Sequence, residues 1–307
     1  MSSLNRRALL KSAAALAVGG SLPTWARATQ SKLGSASVLT LSDGEMQMPL
    51  SRLLAEPDTT DAQSFIQEHA MNAKSHGAPL NLTLLRDGER NVLFDVGSGN
   101  NFLPGTGLLL DSMVELGIDP EEITHVVFTH AHPDHLWGLL DEFDDPSMPN
   151  AEYMISAAEW DYWMDPATVD KLPAETQSFA AGALRHLSAI EDNITHFRDG
   201  EEILPGVQAV ATHGHSPGHT AFEIRQGNDA IMVCGDALTH EHISFARPDW
   251  YTGSDQDKAM GAATRVKLLD RLHHEQIQLV GYHLPDGGMG RVEKVGNKGY
   301  RFVAENT

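Results

Sequence analysis

The sequence predicts an α/β sandwich in which two β-rich halves carry helices on their outer sides. Short apolar runs with β-branched residues alternate with segments of helical periodicity, in two successive blocks of similar order. Of the 307 residues, 41% are hydrophobic, and no internal repeat, low-complexity tract or long linker divides the sequence. Such a chain can bury a large core. We therefore expect residues 29–307 to form one domain.

Residues 1–28 have the features of a removable export signal. The segment NRRALLK, residues 5–11, carries paired arginines; a weakly apolar run follows, and residues 26–28, ARA, resemble a small-residue cleavage site. This order is typical of twin-arginine signals. A membrane anchor is the alternative, but the apolar run is far shorter than the roughly 20 residues that span a bilayer. We therefore expect a periplasmic or secreted protein that does not associate with the membrane once the signal is removed.

The mature chain is expected to be strongly acidic. The net charge of the whole chain is −20, and residues 1–28 contribute four positive charges and no acidic residue, so their removal leaves −24. Phosphate binding requires a basic face, so we expect a small-molecule substrate and not nucleic acid or an anionic membrane. The single cysteine, Cys234, lies in the apolar run AIMVCGDA and is expected to be buried rather than nucleophilic.

The first half of the mature chain is expected to supply strands, a hairpin and one helix. The β-branched run in residues 35–49 is expected to stop at an Asp-Gly turn. Residues 78–97 contain two apolar runs on either side of RDGER, which predicts a hairpin. Helical spacing follows in residues 107–123, and a short strand in residues 124–130 leads into the first histidines.

The second half is expected to repeat this order. Residues 151–156 predict a strand, and residues 157–190 predict aromatic-rich helical segments broken by two prolines. Strands are expected within residues 194–212 and 220–236. A final helix is expected at about residues 256–274, before the apolar run IQLVGYHLP.

Three histidines and an aspartate crowd the segment FTHAHPDHLWG, residues 128–138. His130 and His132 are two residues apart, so at an extended strand end both imidazoles point the same way. Asp134 and His135 follow in the turn, where the chain can direct them toward an adjacent ion. A lone histidine is more often a surface or hydrogen-bonded residue, whereas this spacing predicts ligands for two neighbouring cations.

Three further candidates each follow an apolar strand, beside glycine or proline. They are His219 in SPGHT, Asp236 in CGDA and His283 in GYHLP. Loops gathered at one rim of a fold commonly carry its site. Imidazole and carboxylate ligands without thiolate predict two divalent cations, with zinc preferred and iron, manganese or cobalt as alternatives.

The segments HAHPDH, SPGHT, CGDA and GYHLP, together with LFDVGSG, resemble the five ordered motifs of the metallo-β-lactamase superfamily and span residues 91–285. The resemblance implies a four-layered αβ/βα sandwich, two β-sheets with helices outside. It also implies that Asp236 bridges two cations and that Asp95 orients a ligand. The other implied ligands are His130, His132 and His219 for the first cation and Asp134, His135 and His283 for the second.

An aspartate at position 236 resembles glyoxalase II, lactonases and methyl parathion hydrolase; true β-lactamases typically place Cys or Ser there. Residues 282–303 are similar to the end of methyl parathion hydrolase-like proteins. The resemblance implies an exported two-cation hydrolase in which a bridging hydroxide cleaves esters, lactones or phosphotriesters and Asp134 or Asp236 moves the proton. It also implies a homodimer. A periplasmic β-lactamase, a thioesterase and a non-catalytic metal-stabilised binding protein are the alternatives.

Two positions depart from the superfamily pattern. Acyl-homoserine lactonases usually carry a tyrosine three residues after the bridging aspartate, where this chain has Thr239; substrates with good leaving groups are then easier to explain. Trp137, in DHLWG, stands where a glycine is common. Aromatic residues are expected either in the core or in an apolar pocket wall. The pocket candidates are Phe102, Trp137, Trp160, Trp163, Phe245 and Trp250.

The histidines near the ligand motifs have separate expected roles. His213 and His215 are expected to shape, by hydrogen bonding, the turn that leads to His219. His240 follows Asp236 closely enough to lie beside the ligands and support them.

Overall fold

A computed structural model describes residues 28–100, 102–296 and 299–305. Apart from Ala28, the predicted export signal lies outside these residues. Within them the strands form two sheets of seven, each ordered as the chain runs. The first sheet contains β1 (Gln30–Leu33), β2 (Ala36–Pro49), β3 (Ser75–Arg86), β4 (Asn91–Phe94), β5 (His125–Val127), β6 (Glu152–Ser156) and β7 (Ile194–Phe197). The second contains β8 (Glu202–Leu204), β9 (Val207–Ala211), β10 (Thr220–Gln226), β11 (Asp229–Val233), β12 (Gln278–Val280), β13 (Met289–Val295) and β14 (Gly299–Ala304).

Helices connect the strands. They are α1 (Leu50–Leu53), α2 (Thr60–Glu68), α3 (Leu109–Glu115), α4 (Pro133–Leu136), α5 (Ala157–Met164), α6 (Thr168–Lys171), α7 (Gln177–Ser188), α8 (Ile243–Ala246) and α9 (Lys258–His274). Pro166 and Pro173 separate α5, α6 and α7, as the sequence predicts, because proline cannot continue a helix. Asp257 caps α9 by accepting the Met260 N–H at 2.9 Å. None of the helices in the described ranges is long and apolar enough to cross a membrane.

The core lies in three layers between helices and sheets. Val38 and Phe94 of the first sheet meet Phe222 of the second in an apolar layer between the two sheets. On the outer face of the first sheet, Leu187 of α7 belongs to a second apolar cluster, and Leu269 of α9 belongs to a third cluster against the second sheet. The order helix, sheet, sheet, helix confirms the predicted four-layered αβ/βα sandwich.

The strand directions bring the candidate ligands to one rim. β4, β5 and β6 are parallel, as are β11 and β12, so within each group the carboxyl ends share one edge. Asp95 follows β4 and His130 follows β5. Asp236 follows β11, and His283 follows β12. These four residues therefore leave their strands at sheet edges where loops meet.

The Asp-Gly turn predicted inside residues 35–49 is wrong. β2 runs through Asp43 and Gly44, and its pairing with β3 shifts register there, as in a β-bulge. Gly44 has a φ of 99°, and a Cβ at this position would lie 2.0 Å from the carbonyl oxygen of Gly105. The buried Asp43 side chain accepts the N–H groups of Ser98 at 2.8 Å and Leu109 at 2.9 Å, so it anchors neighbouring loops instead of forming a turn.

Candidate metal centre

Three buried imidazoles converge on one point. His130 Nε2 lies 2.9 Å from His132 Nδ1, and His132 Nδ1 lies 2.8 Å from His215 Nε2. Each nitrogen of a neutral imidazole has either one N–H or one lone pair, so His132 Nδ1 can make a hydrogen bond to only one of its two neighbours. A cation satisfies all three lone pairs together. We refer to these residues as the three-histidine group.

Two carboxylates and two imidazoles form a second group beside it, which we name the mixed group: Asp134, His135, Asp236 and His283. His135 Nε2 lies 3.5 Å from Asp134 Oδ2 and 3.2 Å from Asp236 Oδ1, and His283 Nε2 lies 3.3 Å from Asp134 Oδ2. Among the described residues, Asp134 Oδ2, His135 Nε2 and Asp236 Oδ1 are buried without a hydrogen bond. Buried polar atoms left unpaired are costly, so this donor set fits a second divalent cation.

The Asp236 carboxylate faces both groups. Its Oδ2 lies 3.3 Å from His215 Nε2 in the three-histidine group and 3.2 Å from His283 Nε2 in the mixed group. Its Oδ1 faces His135. Asp236 therefore occupies the position between the groups that a bridging ligand requires.

The structure corrects the choice of His219. Its Nε2 accepts the backbone N–H of Asp236 at 2.9 Å, and its Nδ1 lies 2.8 Å from the Thr212 hydroxyl. Both ring nitrogens are therefore engaged within the protein, and burial lowers the pKa of His219 to about 3, which keeps the ring neutral. His215, predicted only to shape the turn, takes the place in the three-histidine group that was predicted for His219.

The turn before β10 explains this exchange. Gly214 has a φ of 126°, and a Cβ there would lie 2.2 Å from the backbone nitrogen of Gly261 in α9. The segment that begins α9 holds the same turn, since Asp257 N–H bonds the carbonyl of Gly214 at 2.9 Å and Gln256 N–H bonds that of His215 at 3.2 Å. The direction of His215 thus depends on a helix more than 40 residues away.

Hydrogen bonds fix the orientation of the ligand rings. Asp95 Oδ2 lies 2.8 Å from His135 Nδ1, and Asp95 Oδ1 accepts the Thr129 N–H at 2.8 Å. His283 Nδ1 lies 2.9 Å from the carbonyl oxygen of Pro79. Because Nδ1 of His135 and of His283 is engaged in this way, the Nε2 atom of each ring is directed into the mixed group. The structure thus places Asp95 directly behind His135, where an orienting carboxylate would act.

Two further residues that contact the ligands are not predicted from the sequence. Asp255 Oδ1 lies 3.4 Å from His215 Nδ1, and its Oδ2 accepts the Arg265 guanidinium at 2.8 Å. The Tyr282 hydroxyl donates to the Asp134 carbonyl at 2.6 Å, and its ring centroid lies 3.8 Å from that of His135. These contacts join segments that are distant in sequence, and no local motif marks them.

The carboxylates and imidazoles of the mixed group shift one another's pKa values. Burial alone would lower the pKa of His283, but Asp236 and Asp134 overcome this and raise it to about 10. Burial alone would raise the pKa of Asp236, but His283, His135 and His215 hold it well below its usual range. The protein groups therefore form ion pairs in which a cation would replace the imidazole proton.

Zinc binding near neutral pH is expected to release at least one proton. Because the pKa of His283 is about 10, its ring must lose a proton to become a ligand. The apparent affinity should then rise about tenfold per pH unit for each proton released, until the pH reaches the pKa. Titration calorimetry in buffers of different ionisation enthalpy measures this number. His283→Ala should release one proton fewer, and heats that do not depend on the buffer would exclude the effect.

Two pocket predictions are wrong because the side chains are core residues. Phe245 is fully buried and packs against Phe302 beneath the second sheet. Trp163 is 1% exposed; its ring lies edge-on to His132 at 5.7 Å, so it supports this ligand without reaching solvent.

Three other aromatic residues that were predicted to line the pocket, Phe102, Trp160 and Trp250, pack against different neighbours. Phe102 packs edge-on against Trp137 at 5.6 Å and against Phe179 at 6.5 Å, and the Phe179 ring in turn lies 6.0 Å from that of His132. Trp160 packs on His196 at 4.6 Å, and Trp250 lies beneath the Arg247 guanidinium at 3.9 Å. No ring contact joins Trp160 or Trp250 to either ligand group within the described residues.

Trp137 lies in a notch on α7. A Cβ at Gly182 would meet its indole at 2.4 Å, and the His186 ring stacks on it at 5.9 Å. Its outer side lines a cavity of about 320 Å³ together with Ser98 and Arg185. Trp137 is therefore paired with Gly182 of this chain, which accounts for the large residue at a position where glycine is common.

His240 caps a helix rather than touching the ligands. Its Nδ1 accepts the N–H groups of His242 at 3.1 Å and Ile243 at 3.4 Å, at the start of α8. Its ring lies 5.6 Å from that of His76, and it belongs to neither ligand group. The expectation that His240 supports a ligand directly is not met in this arrangement.

Comparison with known proteins gives a consistent picture. The family model for the metallo-beta-lactamase superfamily matches residues 78–275. An N-acyl homoserine lactonase of Bacillus cereus is 23% identical over 203 residues, which are 60% of this chain and 73% of the relative. The lactonase AttM of Azorhizobium caulinodans is 29% identical over 176 residues, covering 56% and 62% of the two chains.

Solved structures share the whole architecture. The dizinc quorum-quenching lactonase AidC, in complex with the product N-hexanoyl-L-homoserine, superposes with a TM-score of 0.84 at 26% identity and covers 91% of this chain and 98% of its own. The hydrolase AbOPH superposes with a TM-score of 0.83 at 23% identity over 91% and 98%, a likeness of fold.

Proposed function

Because this chain belongs to the metallo-β-lactamase superfamily and is a metal-dependent hydrolase, we propose that it opens lactone rings at a two-cation centre. The observation that carries the proposal is the Asp236 carboxylate, which faces the three-histidine group on one side and the mixed group on the other. The likeness to AidC over nearly the whole of both chains supports lactones as the substrate class.

The residues of both groups fit zinc. Their donors are imidazole nitrogens and carboxylate oxygens, which zinc accepts in hydrolytic sites, and the buried atoms of the mixed group that lack a hydrogen bond are suited to a cation. AidC is a dizinc enzyme. We therefore propose zinc at both positions, held by His130, His132 and His215 and by Asp134, His135 and His283, with Asp236 shared.

Cations at these positions supply Lewis acidity to a carbonyl group and to water. The protein then has to hold the ligands and move one proton. Both oxygens of Asp236 face ligand imidazoles, which suits it to holding the centre together. Asp134 directs Oδ2 at His135 and His283, and its Oδ1 is the oxygen we assign to proton transfer.

Ring opening requires one water and one proton transfer. A new C–O bond forms between the water oxygen and the lactone carbonyl carbon, and the C–O bond of the ring breaks. Asp134 Oδ1 takes a proton from the water and returns it to the departing alcohol oxygen. The products are a hydroxyl group and a carboxylic acid on one open chain, and the acid then releases the second proton of the water to solvent and becomes a carboxylate. Thr239, buried at the rim, supplies no phenol for this step.

The zinc-loaded protein is expected to hydrolyse an N-acyl homoserine lactone with a higher kcat/KM than a β-lactam. One purified sample should be assayed on four probes: N-hexanoyl homoserine lactone, p-nitrophenyl acetate, paraoxon and nitrocefin. Removing zinc with a chelator should abolish turnover, and adding zinc back should restore it. Turnover of nitrocefin above that of the lactone would favour a β-lactamase, and binding of two zinc ions without turnover of any probe would favour a binding protein.

We also propose that the protein is exported by the twin-arginine route. The support is the sequence of residues 1–28, with Arg6 and Arg7 before the weakly apolar run. Fractionation of cells that produce the full chain should find the protein outside the cytoplasm. The paired change Arg6→Lys and Arg7→Lys should retain it inside. Equal distribution of both forms would contradict export by this route.

A further inference from the structure

Glu159, in the first turn of α5, is a fully buried side chain that accepts four hydrogen bonds. Its Oε1 accepts the Ala131 N–H at 3.0 Å and the Trp163 indole N–H at 2.6 Å. Its Oε2 accepts the Ser216 hydroxyl at 2.7 Å and the Gly218 N–H at 2.8 Å. An ionised carboxylate only accepts hydrogen bonds, so these four donors satisfy both of its oxygens.

These contacts join the two loops that carry the three-histidine group. Ala131 is the residue between His130 and His132, and Ser216 directly follows His215. His132 and His215 are 83 residues apart and leave strands of different sheets. One oxygen of Glu159 therefore holds each loop, and the side chain fixes the distance between them.

The remaining contacts of Glu159 act on the same group. Its bond to the Trp163 indole orients the ring that lies edge-on to His132. A Cβ at Gly218 would lie 2.1 Å from the Glu159 backbone nitrogen, so only glycine lets the His215 loop approach α5. Within the described residues, no hydrogen bond joins Glu159 to the mixed group.

The geometry points to Glu159 as a positioning residue that sets the affinity of the three-histidine position for its cation and leaves the mixed position unchanged. The inference rests on the two-cation centre proposed above. His130, His132 and His215 direct nitrogens to one point only while their loops keep their separation. Residues that orient metal ligands typically change metal affinity by about 10–100-fold when they are replaced.

Glu159→Gln tests this directly. Its amide nitrogen is a donor, so it would oppose either the Ala131 N–H or the Gly218 N–H and release one of the two loops. Zinc titration against a competing chelator should show one of the two cations weakened by about 10–100-fold. Anomalous diffraction from crystals equilibrated in the same chelator buffer should show reduced zinc occupancy at the three-histidine position alone.

Two companion variants separate positioning from stability. Ser216→Ala removes one of the four hydrogen bonds and should weaken the same position less, and it decides the question if Glu159→Gln does not fold. Glu223→Gln is the matched control, because Glu223 is a buried carboxylate on β10 that pairs with Arg225 and Arg271. It should lower the melting temperature and leave both zinc affinities unchanged.

Three outcomes would overturn the assignment of Glu159. Wild-type affinity at both positions in Glu159→Gln, or in Ser216→Ala where only this variant folds, would remove the positioning role. Equal weakening of both positions, with a loss of melting temperature like that of Glu223→Gln, would make Glu159 a purely structural residue. A wild-type protein that binds fewer than two zinc ions would overturn the two-cation centre and this inference together.

Discussion

Replacing His215 by alanine is expected to lower kcat/KM for a lactone by about a thousandfold, or roughly 4 kcal/mol of transition-state stabilisation. The change removes one of three nitrogens that converge at the three-histidine group, together with the ring that faces Asp236 at 3.3 Å. The zinc content should fall from two ions to about one. Elemental analysis after gel filtration and steady-state kinetics on the same sample measure both effects.

Two histidines of the same turn provide matched controls. His213→Ala should retain both zinc ions, because this side chain belongs to neither ligand group. His219→Ala should also retain them, although it leaves the buried Asp236 N–H and Thr212 hydroxyl without their partner. It should cost roughly 1–3 kcal/mol of unfolding free energy. Loss of a zinc ion in His219→Ala but not in His215→Ala would restore the original choice of His219.

Replacing Asp236 by alanine is expected to weaken both zinc ions and to lower kcat/KM by at least about a thousandfold. No other carboxylate in the described residues contacts imidazoles of both ligand groups. Its loss would also leave His135 and His283 facing each other with only Asp134 between them. Zinc titration against a chelator and lactone kinetics check the two effects.

The control for this prediction lies on β11, the strand that precedes Asp236. Asp229 begins β11 at the surface, and Asp229→Ala removes a carboxylate from the same sheet without touching the centre. It should leave zinc content and kcat/KM near the wild-type values. If Asp236→Ala lost one zinc ion and kept the other with wild-type affinity, Asp236 would belong to a single position.

The sequence predicts the parts of the site that depend on local geometry. His130 and His132 point together because residues two apart share a direction in an extended chain. Asp236 and His283 follow apolar strands, and a parallel pairing of β11 and β12 brings those two strand ends to one edge. The α/β sandwich follows in the same way from the order of strands and helices, and the resemblance to the superfamily implies its four layers.

The parts that sequence reasoning missed depend on distant contacts. The choice between His215 and His219 is made by α9, which holds the turn at Gly214. Glu159 and Asp255 act through hydrogen bonds and ion pairs across loops, and neither has a motif that marks it. Phe245 and Phe102 are the same residue type, yet Phe245 packs in the core under the second sheet and Phe102 packs against Trp137 and Phe179.

The Asp-Gly pair in β2 shows the same limit. Its composition favours a turn, but the pairing of β2 with β3 continues on both sides of it. The strand continues through this pair because the Asp43 carboxylate accepts hydrogen bonds from the N–H groups of Ser98 and Leu109 in other loops. Local preference is overridden here by tertiary hydrogen bonds.

Anomalous diffraction at the zinc edge from zinc-loaded crystals tests the two-cation centre most directly. We expect two peaks, one about 2.0–2.1 Å from His130 Nε2, His132 Nδ1 and His215 Nε2, and one bound by the mixed group, with Asp236 between them. His219 should contact neither. A single peak, or a peak coordinated by His219 in place of His215, would contradict this expectation.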